Sequence, residues 1–179
     1  MTPATVLDFW FDPANRKRWF TPAPAFDAEC VRRFQPLVEA ADRGELAGWQ
    51  DTPEGALALA ILLDQLPRNI GRGTPRMYAY DAKARAVAKA AVERGFDRQV
   101  PPDRRLFLYL PFEHSEDLAD QERSVELTAT LGDAEQLDYA VRHRDIVARF
   151  GRFPHRNAIL GRPSTEEEIA FLKTPGSSF

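Results

Sequence analysis

The chain has 179 residues, of which 44% are hydrophobic and 28% are charged, and its formal net charge is −3. This length suits one domain with one sizeable core, and the composition is that of a globular protein rather than a disordered or fibrous one. A negative net charge gives no global attraction for nucleic acid or anionic lipid, so we expect neither partner. We therefore predict one domain over residues 1–179, with a frayed tail at 173–179.

The N-terminal stretch "MTPATVLDFWF" has no basic residue, and Asp8 interrupts its apolar run. It does not match a signal peptide, and no window approaches the roughly 20 apolar residues that span a bilayer. We therefore expect a cytoplasmic protein with no membrane partner. Cys30 is the only cysteine, and neither a metal-ligand spacing nor a phosphate-binding loop is present. We expect no metal and no cofactor.

Helix signals follow one another along the chain, whereas strand signals are scarce. Thr2-Pro3 and Thr52-Pro53 each place an N-cap before a proline at the first helical position. The second pair opens "EGALALAILLDQL", which is apolar on nearly all sides, as expected of a central, buried helix. Between these two starts, Asp27 is predicted to cap a long helix that Gly44 ends.

The same signals continue in the second half of the chain. "DRRLFLYL" is predicted to be helical and to lead to Pro111. Further helices are predicted to start at Thr74-Pro75, Ser115, Asp133 and Ser164-Thr165. The predicted fold is all-α, with about eight helices packed as antiparallel hairpins.

Two segments repeat an unusual pattern: "LPRNIGRG" (residues 66–73, the first Arg-Asn segment) and "FPHRNAILGR" (residues 153–162, the second Arg-Asn segment). In each, a large apolar residue is followed by proline, an Arg-Asn pair and a closing Gly-Arg. Proline disfavours helical backbone at the residue before it, so each segment is predicted to end a helix and turn a corner. Gly71 and Gly161 are predicted to take the left-handed conformation there.

A corner requires proline and glycine but no particular cation, so the Arg-Asn pairs need another explanation. Either Arg68 and Arg156 are paired with nearby carboxylates, Asp64 and Asp81 being candidates, or both corners face a shared polar cleft that holds an anion. The sequence leaves both interpretations open.

The three histidines, His114, His143 and His155, all lie in the second half of the chain and close to charged residues. A neutral histidine oriented by a carboxylate and surrounded by arginines can perform acid–base chemistry on an anionic substrate. Candidates for the orienting carboxylate are Glu113, Glu116 and Asp64. The alternative interpretation is that the histidines cap helices and satisfy buried carbonyl groups.

Three long stretches, "LDQLPRNIGRGTPRMYAYD", "YLPFEHSEDLADQERSVEL" and "RFGRFPHRNAILGRPSTEEEIAFL", together with "VLDFWF", resemble the bacterial domain-of-unknown-function family 924. The resemblance covers nearly the whole chain and implies an all-helical, tetratricopeptide-like domain, but no reaction. The candidate site residues that fall inside its motifs are Asp64, Arg68, Asn69, Arg72, His114, Glu116, Gln121, His155, Arg156 and Asn157.

Two functions are compatible with these residues. The first is a helical binding module whose Arg-Asn corners, with Arg72 and Gln121, hold an anionic small molecule or an acidic peptide. The second is a small-molecule hydrolase or transferase. In it, His114 or His155 is the acid or base, Glu116 or Asp64 orients it, and the arginines hold the anionic substrate. The sequence does not indicate an oligomeric state.

Overall fold

A computed structural model describes residues 1–178 of the chain, and every regular element in this range is helical, which confirms the all-α prediction. The α-helices are α1 (Pro3–Trp10), α2 (Pro13–Arg16), α3 (Pro24–Asp42), α4 (Pro53–Ala60), α5 (Leu66–Ile70), α6 (Asp81–Glu93), α7 (Leu106–Glu113), α8 (Leu118–Ala129), α9 (Ala134–Phe150), α10 (Asn157–Leu160) and α11 (Glu166–Phe171). A π-helical turn, Ile61–Gln65, joins α4 to α5. Short 3-10 helices lie at Ala47–Asp51, Pro75–Tyr78, Pro102–Arg104 and Pro154–Arg156.

Most helices begin where the capping residues predict. The side chains of Thr2, Thr52, Asp133 and Thr165 each accept a hydrogen bond from a backbone N–H of the first helical turn. Such bonds satisfy donors that have no partner within the helix. The sequence therefore locates the starts of α1, α4, α9 and α11 correctly.

Other boundaries differ from the prediction. The long helix α3 begins at Pro24, so Asp27 lies in its first turn instead of capping it. The cap of α8 is Asp117 and not Ser115, whose hydroxyl accepts from the Asp117 N–H. After Thr74-Pro75 only a 3-10 turn forms, and the alanine-rich helix starts at Asp81.

In the first Arg-Asn segment the helix does not stop before the proline, so that prediction is wrong. Leu66 has helical angles (φ −59°, ψ −36°), and α5 continues through Pro67 to Ile70. In the π-helical turn before the proline, the Leu66 N–H bonds to the Ile61 carbonyl, five residues back. A π-helical turn widens the helix, which here accommodates the proline ring and its missing N–H. Gly71 then ends α5 at φ −102°, not in the left-handed conformation.

The second Arg-Asn segment does form the predicted corner. Gly151 ends α9 in the left-handed conformation (φ 69°), and Phe153, before the proline, is extended (φ −90°, ψ 105°). Gly161 is left-handed at φ 66°, as predicted. Similar residues therefore occur on two different backbones.

Contacts divide the chain into two compact units. The N-terminal unit comprises Met1–Arg72 and Arg76–Pro111, and the C-terminal unit comprises Gly73–Pro75 and Phe112–Phe179. The single domain expected from chain length stays a prediction. So does the frayed tail: Ser177 Oγ donates to the Leu172 carbonyl at 3.2 Å, and Phe179 lies outside the described residues.

Each unit has its own apolar core. In the N-terminal unit, the aromatic rings of α1, α3 and α7 pack together, and every residue of α4 from Gly55 onward is buried, as its composition predicts. In the C-terminal unit, Ile146, Val147 and Phe153 form the core, and α8 and α9 form a helical hairpin. No helix in residues 1–178 has the length and apolar character needed to cross a membrane.

Candidate functional site

Arg68, in the first Arg-Asn segment, is held by two carboxylates of the N-terminal unit. Its guanidinium donates to both oxygens of Asp81, at 3.0 and 3.1 Å, and lies 3.3 Å from Oδ1 of the fully buried Asp64. It also donates to the Asp64 carbonyl. Burial by itself would lower the pKa of Arg68, but the charges of Asp64 and Asp81 raise it above its usual value. These are the two carboxylates that the sequence indicates as partners.

The other two polar residues of this segment converge on one carboxylate of α3. Asn69 Nδ2 donates to Asp27 Oδ1 at 2.8 Å, and Arg72 donates to both Asp27 oxygens at 2.6 and 3.0 Å. Burial alone would raise the pKa of Asp27, but these hydrogen bonds hold it below its usual value. The first Arg-Asn segment thus fastens α5 to α3 and to α6 through ion pairs inside the N-terminal unit.

The three histidines of the chain come together in the C-terminal unit. The His143 ring centroid is 6.3 Å from that of His114 and 5.6 Å from that of the buried Phe153, whose ring is 5.6 Å from His155. The Arg156 guanidinium lies over the same Phe153 ring, 4.6 Å from its centroid. We call these five residues the Phe153 cluster.

Within the cluster, His143 is the buried member, and its protonation state follows from its contacts. Its Nδ1 is 2.8 Å from the Tyr139 carbonyl oxygen, which can only accept, so Nδ1 carries the proton. Glu113 Oε1 lies 3.3 Å from the same nitrogen. Burial lowers the pKa of His143 to about 3, and the Tyr139 carbonyl offsets only part of this effect. At neutral pH His143 is therefore a neutral imidazole.

Side chains hold three consecutive backbone carbonyls around His114. Gln121 Nε2 donates to the carbonyls of Glu113 and Ser115, both at 2.6 Å. Arg156 Nη2 donates to the carbonyl of His114 itself at 3.0 Å. Because α7 ends at Glu113, these carbonyls are among those that have no partner within a helix. Gln121 and Arg156, both predicted site residues, therefore fix the backbone that carries His114.

Glu116 fastens the second Arg-Asn segment to the chain that follows His114. It accepts hydrogen bonds from the Phe153 N–H at 2.8 Å and from both terminal nitrogens of Arg162 at 2.7 and 2.9 Å. Burial would raise the pKa of Glu116, but the Arg162 hydrogen bonds and then the Phe153 N–H lower it below its usual value. Arg162 also donates to Asn157 Oδ1 at 2.9 Å.

Asn157 and Arg152 share another carboxylate, the buried Glu168. Arg152 donates to its two oxygens at 2.7 and 2.8 Å, and Asn157 Nδ2 donates to Oε2 at 3.3 Å. The hydrogen bonds from Arg152 lower the pKa of Glu168 to about 2 despite burial, with help from the Thr165 N–H. A surface crevice of about 320 Å³ lies beside these residues, between the Arg152–Glu168 and Arg149–Glu167 ion pairs. Its charges are thus neutralised by their neighbours.

The predicted site residues therefore fall into two groups. Asp64, Arg68, Asn69 and Arg72 belong to the ion-pair network of the N-terminal unit, whereas His114, Glu116, Gln121, His155, Arg156 and Asn157 lie in or around the Phe153 cluster of the C-terminal unit. No group of three or more His, Cys, Asp or Glu side chains within residues 1–178 is arranged to hold a metal ion.

His143 is a member of the Phe153 cluster that the sequence prediction did not select as a site residue, and Glu113 beside it was considered only as a candidate orienting carboxylate. His143 stands between Arg142 and Arg144 in the sequence, which suggests an exposed position. The helical period contains the better signal, since Ala140, His143 and Val147 are spaced three and four residues apart and are all buried. That spacing places His143 on the buried face of α9.

Comparisons with known proteins identify the class of protein that these features belong to. A family model described as "Bacterial protein of unknown function (DUF924)" matches residues 6–176, so the chain belongs to this family. The resemblance seen in the sequence motifs is thereby confirmed.

A solved structure extends the comparison to the fold. The chain is similar to a protein of unknown function, ATU0120, from Agrobacterium tumefaciens, with 48% sequence identity, a TM-score of 0.91 and 96% of each chain covered. No curated protein matches the chain. Family and fold are thus established, and neither comparison carries a described activity.

Proposed function

We propose that the C-terminal unit binds a small anionic molecule at the Phe153 cluster, with His114, His155 and Arg156 as its contacts. The observation that carries this proposal is the convergence of Arg156, His143 and His155 on one phenylalanine ring, with His114 next to His143. The proposal narrows the general idea of an anion-binding module to one of the two Arg-Asn segments.

The charges of the cluster support an anion. Arg156 is a permanent cation with only 6% of its surface exposed, and the neighbouring His143 is neutral at neutral pH. His114 and His155 are half-buried, so each retains some access to solvent. A guanidinium and two partly exposed imidazoles in the same cluster together offer several N–H donors, which suit a phosphate or carboxylate group.

The first Arg-Asn segment is not part of the proposed site. Arg68, Asn69 and Arg72 direct their donors at Asp64, Asp81 and Asp27, and these contacts explain them without a ligand. In the second segment, Asn157 is likewise engaged by Arg162 and Glu168 and supports the backbone of the site.

The test is calorimetric titration of the whole chain with inorganic phosphate, a phosphate monoester, succinate and a short glutamate-rich peptide. We expect at least one small anion to bind, and Arg156→Gln to weaken it by about 10- to 100-fold through loss of a charged donor. Arg149→Gln is the matched control: it removes the same charge from the same unit, at a position 54% exposed and paired with Glu167. Equal affinity in wild type and Arg156→Gln would contradict the proposal. Binding of the peptide but of none of the small anions would also contradict it and would indicate an acidic peptide as the ligand.

A second candidate, acid–base catalysis as a hydrolase or transferase, rests on a separate observation. His114 lies beside His143, an imidazole held neutral and in a fixed tautomer, and His114's own backbone is held by Arg156 and Gln121. A half-exposed imidazole on a fixed backbone beside a cation is what proton transfer to an anionic substrate requires. Glu116 is engaged by Arg162 and the Phe153 N–H, so it supports the backbone instead of orienting a histidine.

Turnover separates the two candidates. Catalysis predicts hydrolysis of a phosphate monoester or a carboxylic ester with a pH-dependent rate that His114→Gln or His155→Gln lowers by about 100-fold or more. Binding without turnover, with affinity still sensitive to Arg156, assigns the site to recognition alone.

A further inference from the structure

We propose that α8 carries a row of ordered water molecules along one buried face, bound by Gln121, Ser124 and Thr128. All three residues are fully buried, with 0% of their surface exposed. Their side-chain oxygens, Gln121 Oε1, Ser124 Oγ and Thr128 Oγ1, have no hydrogen-bond partner among the described residues. Buried polar atoms of this kind are almost always satisfied, by protein or by ordered water. The inference concerns the buried side of α8 and not the proposed anion contacts His114, His155 and Arg156, and it does not depend on them.

The three residues lie on one face of α8. Residues 121, 124 and 128 are three and four positions apart, so their side chains stack on the same face of α8. Neighbours at this spacing have Cβ atoms roughly 5–6 Å apart. The three oxygens make no direct bond with one another, and side chains at this spacing can be joined by one water molecule through two O–H···O bonds of roughly 2.7–2.8 Å each. One water molecule therefore fits between each pair of neighbours.

The donors and acceptors of such a row balance. The nitrogen of the Gln121 amide is identified by its two carbonyl partners, which leaves Oε1 as an acceptor only. Thr128 donates to one water, which donates to Ser124. Ser124 donates to the next water, which donates to Gln121 Oε1. Each water thus has two protein partners, the least that an ordered buried water requires.

A nearby threonine shows what the alternative arrangement looks like. Thr130, just past the end of α8, donates to the Leu127 carbonyl at 2.6 Å, the backbone bond that helical serines and threonines often form. Ser124 and Thr128 do not form this bond with the turn before them. Their hydroxyls consequently remain available to water.

The direct test is a crystal structure of the whole chain at a resolution that defines ordered solvent. We expect water within about 3 Å of Ser124 Oγ and Thr128 Oγ1. Hydroxyls that turn to a backbone carbonyl, or a dry face of α8, would overturn the inference.

Thermal unfolding gives a second test that needs no crystal. Thr128→Val removes the hydroxyl with little change of shape. If the hydroxyl holds water, the midpoint falls by about 2–4 °C, whereas removing a dry, unsatisfied hydroxyl raises it. Thr130→Val, at an exposed position, is the control and should change the midpoint by no more than about 1–2 °C. A midpoint of Thr128→Val that is unchanged or higher contradicts the inference.

The double variant tests whether the water is shared. Ser124→Ala and Thr128→Val should together lower the midpoint by less than the sum of their separate effects, because both remove partners of one molecule. Strictly additive effects would overturn the shared bridge. None of these results bears on anion binding, so failure here and failure of the proposed function are distinguishable.

Discussion

In the first Arg-Asn segment the helix continues through Pro67, whereas in the second it has ended at Gly151 and Phe153 is extended. The difference extends to the arginines. Arg68 reaches two carboxylates within the N-terminal unit, while Arg156 donates to the carbonyl of His114 and covers the Phe153 ring. Similar residues therefore form ion pairs between helices in one unit and belong to a histidine cluster in the other.

This comparison shows why a repeated motif is weak evidence for a repeated function. Proline and glycine restrict the backbone but leave several solutions, and the surrounding side chains select one of them. Around Arg68 the surroundings supply negative charge; around Arg156 they supply imidazoles and an aromatic face. The proposed site follows from that second environment.

The largest expected loss of stability follows from removing the ion pairs of Arg68. Arg68→Gln should lower the free energy of unfolding by about 3–5 kcal/mol, because it removes the largely buried cation that Asp64 and Asp81 share. Arg72→Gln, at a side chain 38% exposed, should cost only about 1 kcal/mol. Urea unfolding of both variants measures the difference. Equal, small losses of unfolding free energy in the two variants would show that Arg68 does not form the buried, stabilising ion pairs that its contacts indicate.

The second prediction concerns the pH dependence of the C-terminal unit. His143 has a folded pKa of about 3, below the ordinary 6.5, so the unfolded chain binds a proton that the folded chain does not. The resulting stability is complete above about pH 6.5 and is lost as the pH falls towards 3, by at most about 1.4 kcal/mol per pH unit. Unfolding free energies measured across this range should fall less steeply in His143→Gln. Parallel curves for variant and wild type would contradict the neutral, buried imidazole.

A smaller loss is expected at the second arginine. Arg156→Gln removes the donor to the His114 carbonyl and should lower the free energy of unfolding by about 1–3 kcal/mol, less than Arg68→Gln. The same urea experiment measures it. A loss as large as that of Arg68→Gln would break the distinction between the two segments.

The smallest expected effects on stability come from Gly71 and Gly161, the glycines of the two Arg-Asn segments. A Cβ at Gly71 would stand 2.9 Å from backbone atoms of Arg76 and Met77, which cannot move aside easily, so Gly71→Ala should cost about 1–3 kcal/mol. At Gly161 the space is open and only the left-handed backbone resists, at about 1 kcal/mol. Thermal unfolding of the two alanine variants ranks them, and a larger loss at Gly161 would reverse the steric interpretation.

Much of the fold could be predicted because it depends on local signals. The Thr-Pro starts, the aspartate and threonine caps and the uniformly apolar α4 all act within one or two helical turns. The helix through Pro67 could not be predicted in this way, since the π-helical turn that accommodates it depends on the buried setting of residues 61–65. Sequence rules for proline describe a preference, and the packing of the N-terminal unit outweighs it.

The candidate site residues show the same difference between local signals, which the sequence contains, and long-range contacts, which it does not reveal. Asp64 is only four residues before Arg68, so closeness in the sequence indicated that pair as a candidate. Asp27 is 42 positions before Asn69, and no local rule connects them. The grouping of His114, His143 and His155 likewise requires the return of the chain after α9. The sequence identified most of these residues, but only the structure assigned them to two separate networks.

The central claim is that Arg156 contacts a ligand and Arg68 does not. The most direct test follows the side-chain N–H signals of both arginines in one ¹⁵N spectrum of the whole chain while inorganic phosphate, or the best-binding small anion from the titrations, is added. The proposed site predicts that the Arg156 signal moves and saturates while the Arg68 signal stays in place. Movement of the Arg68 signal, or an Arg156 signal that does not respond, would contradict it.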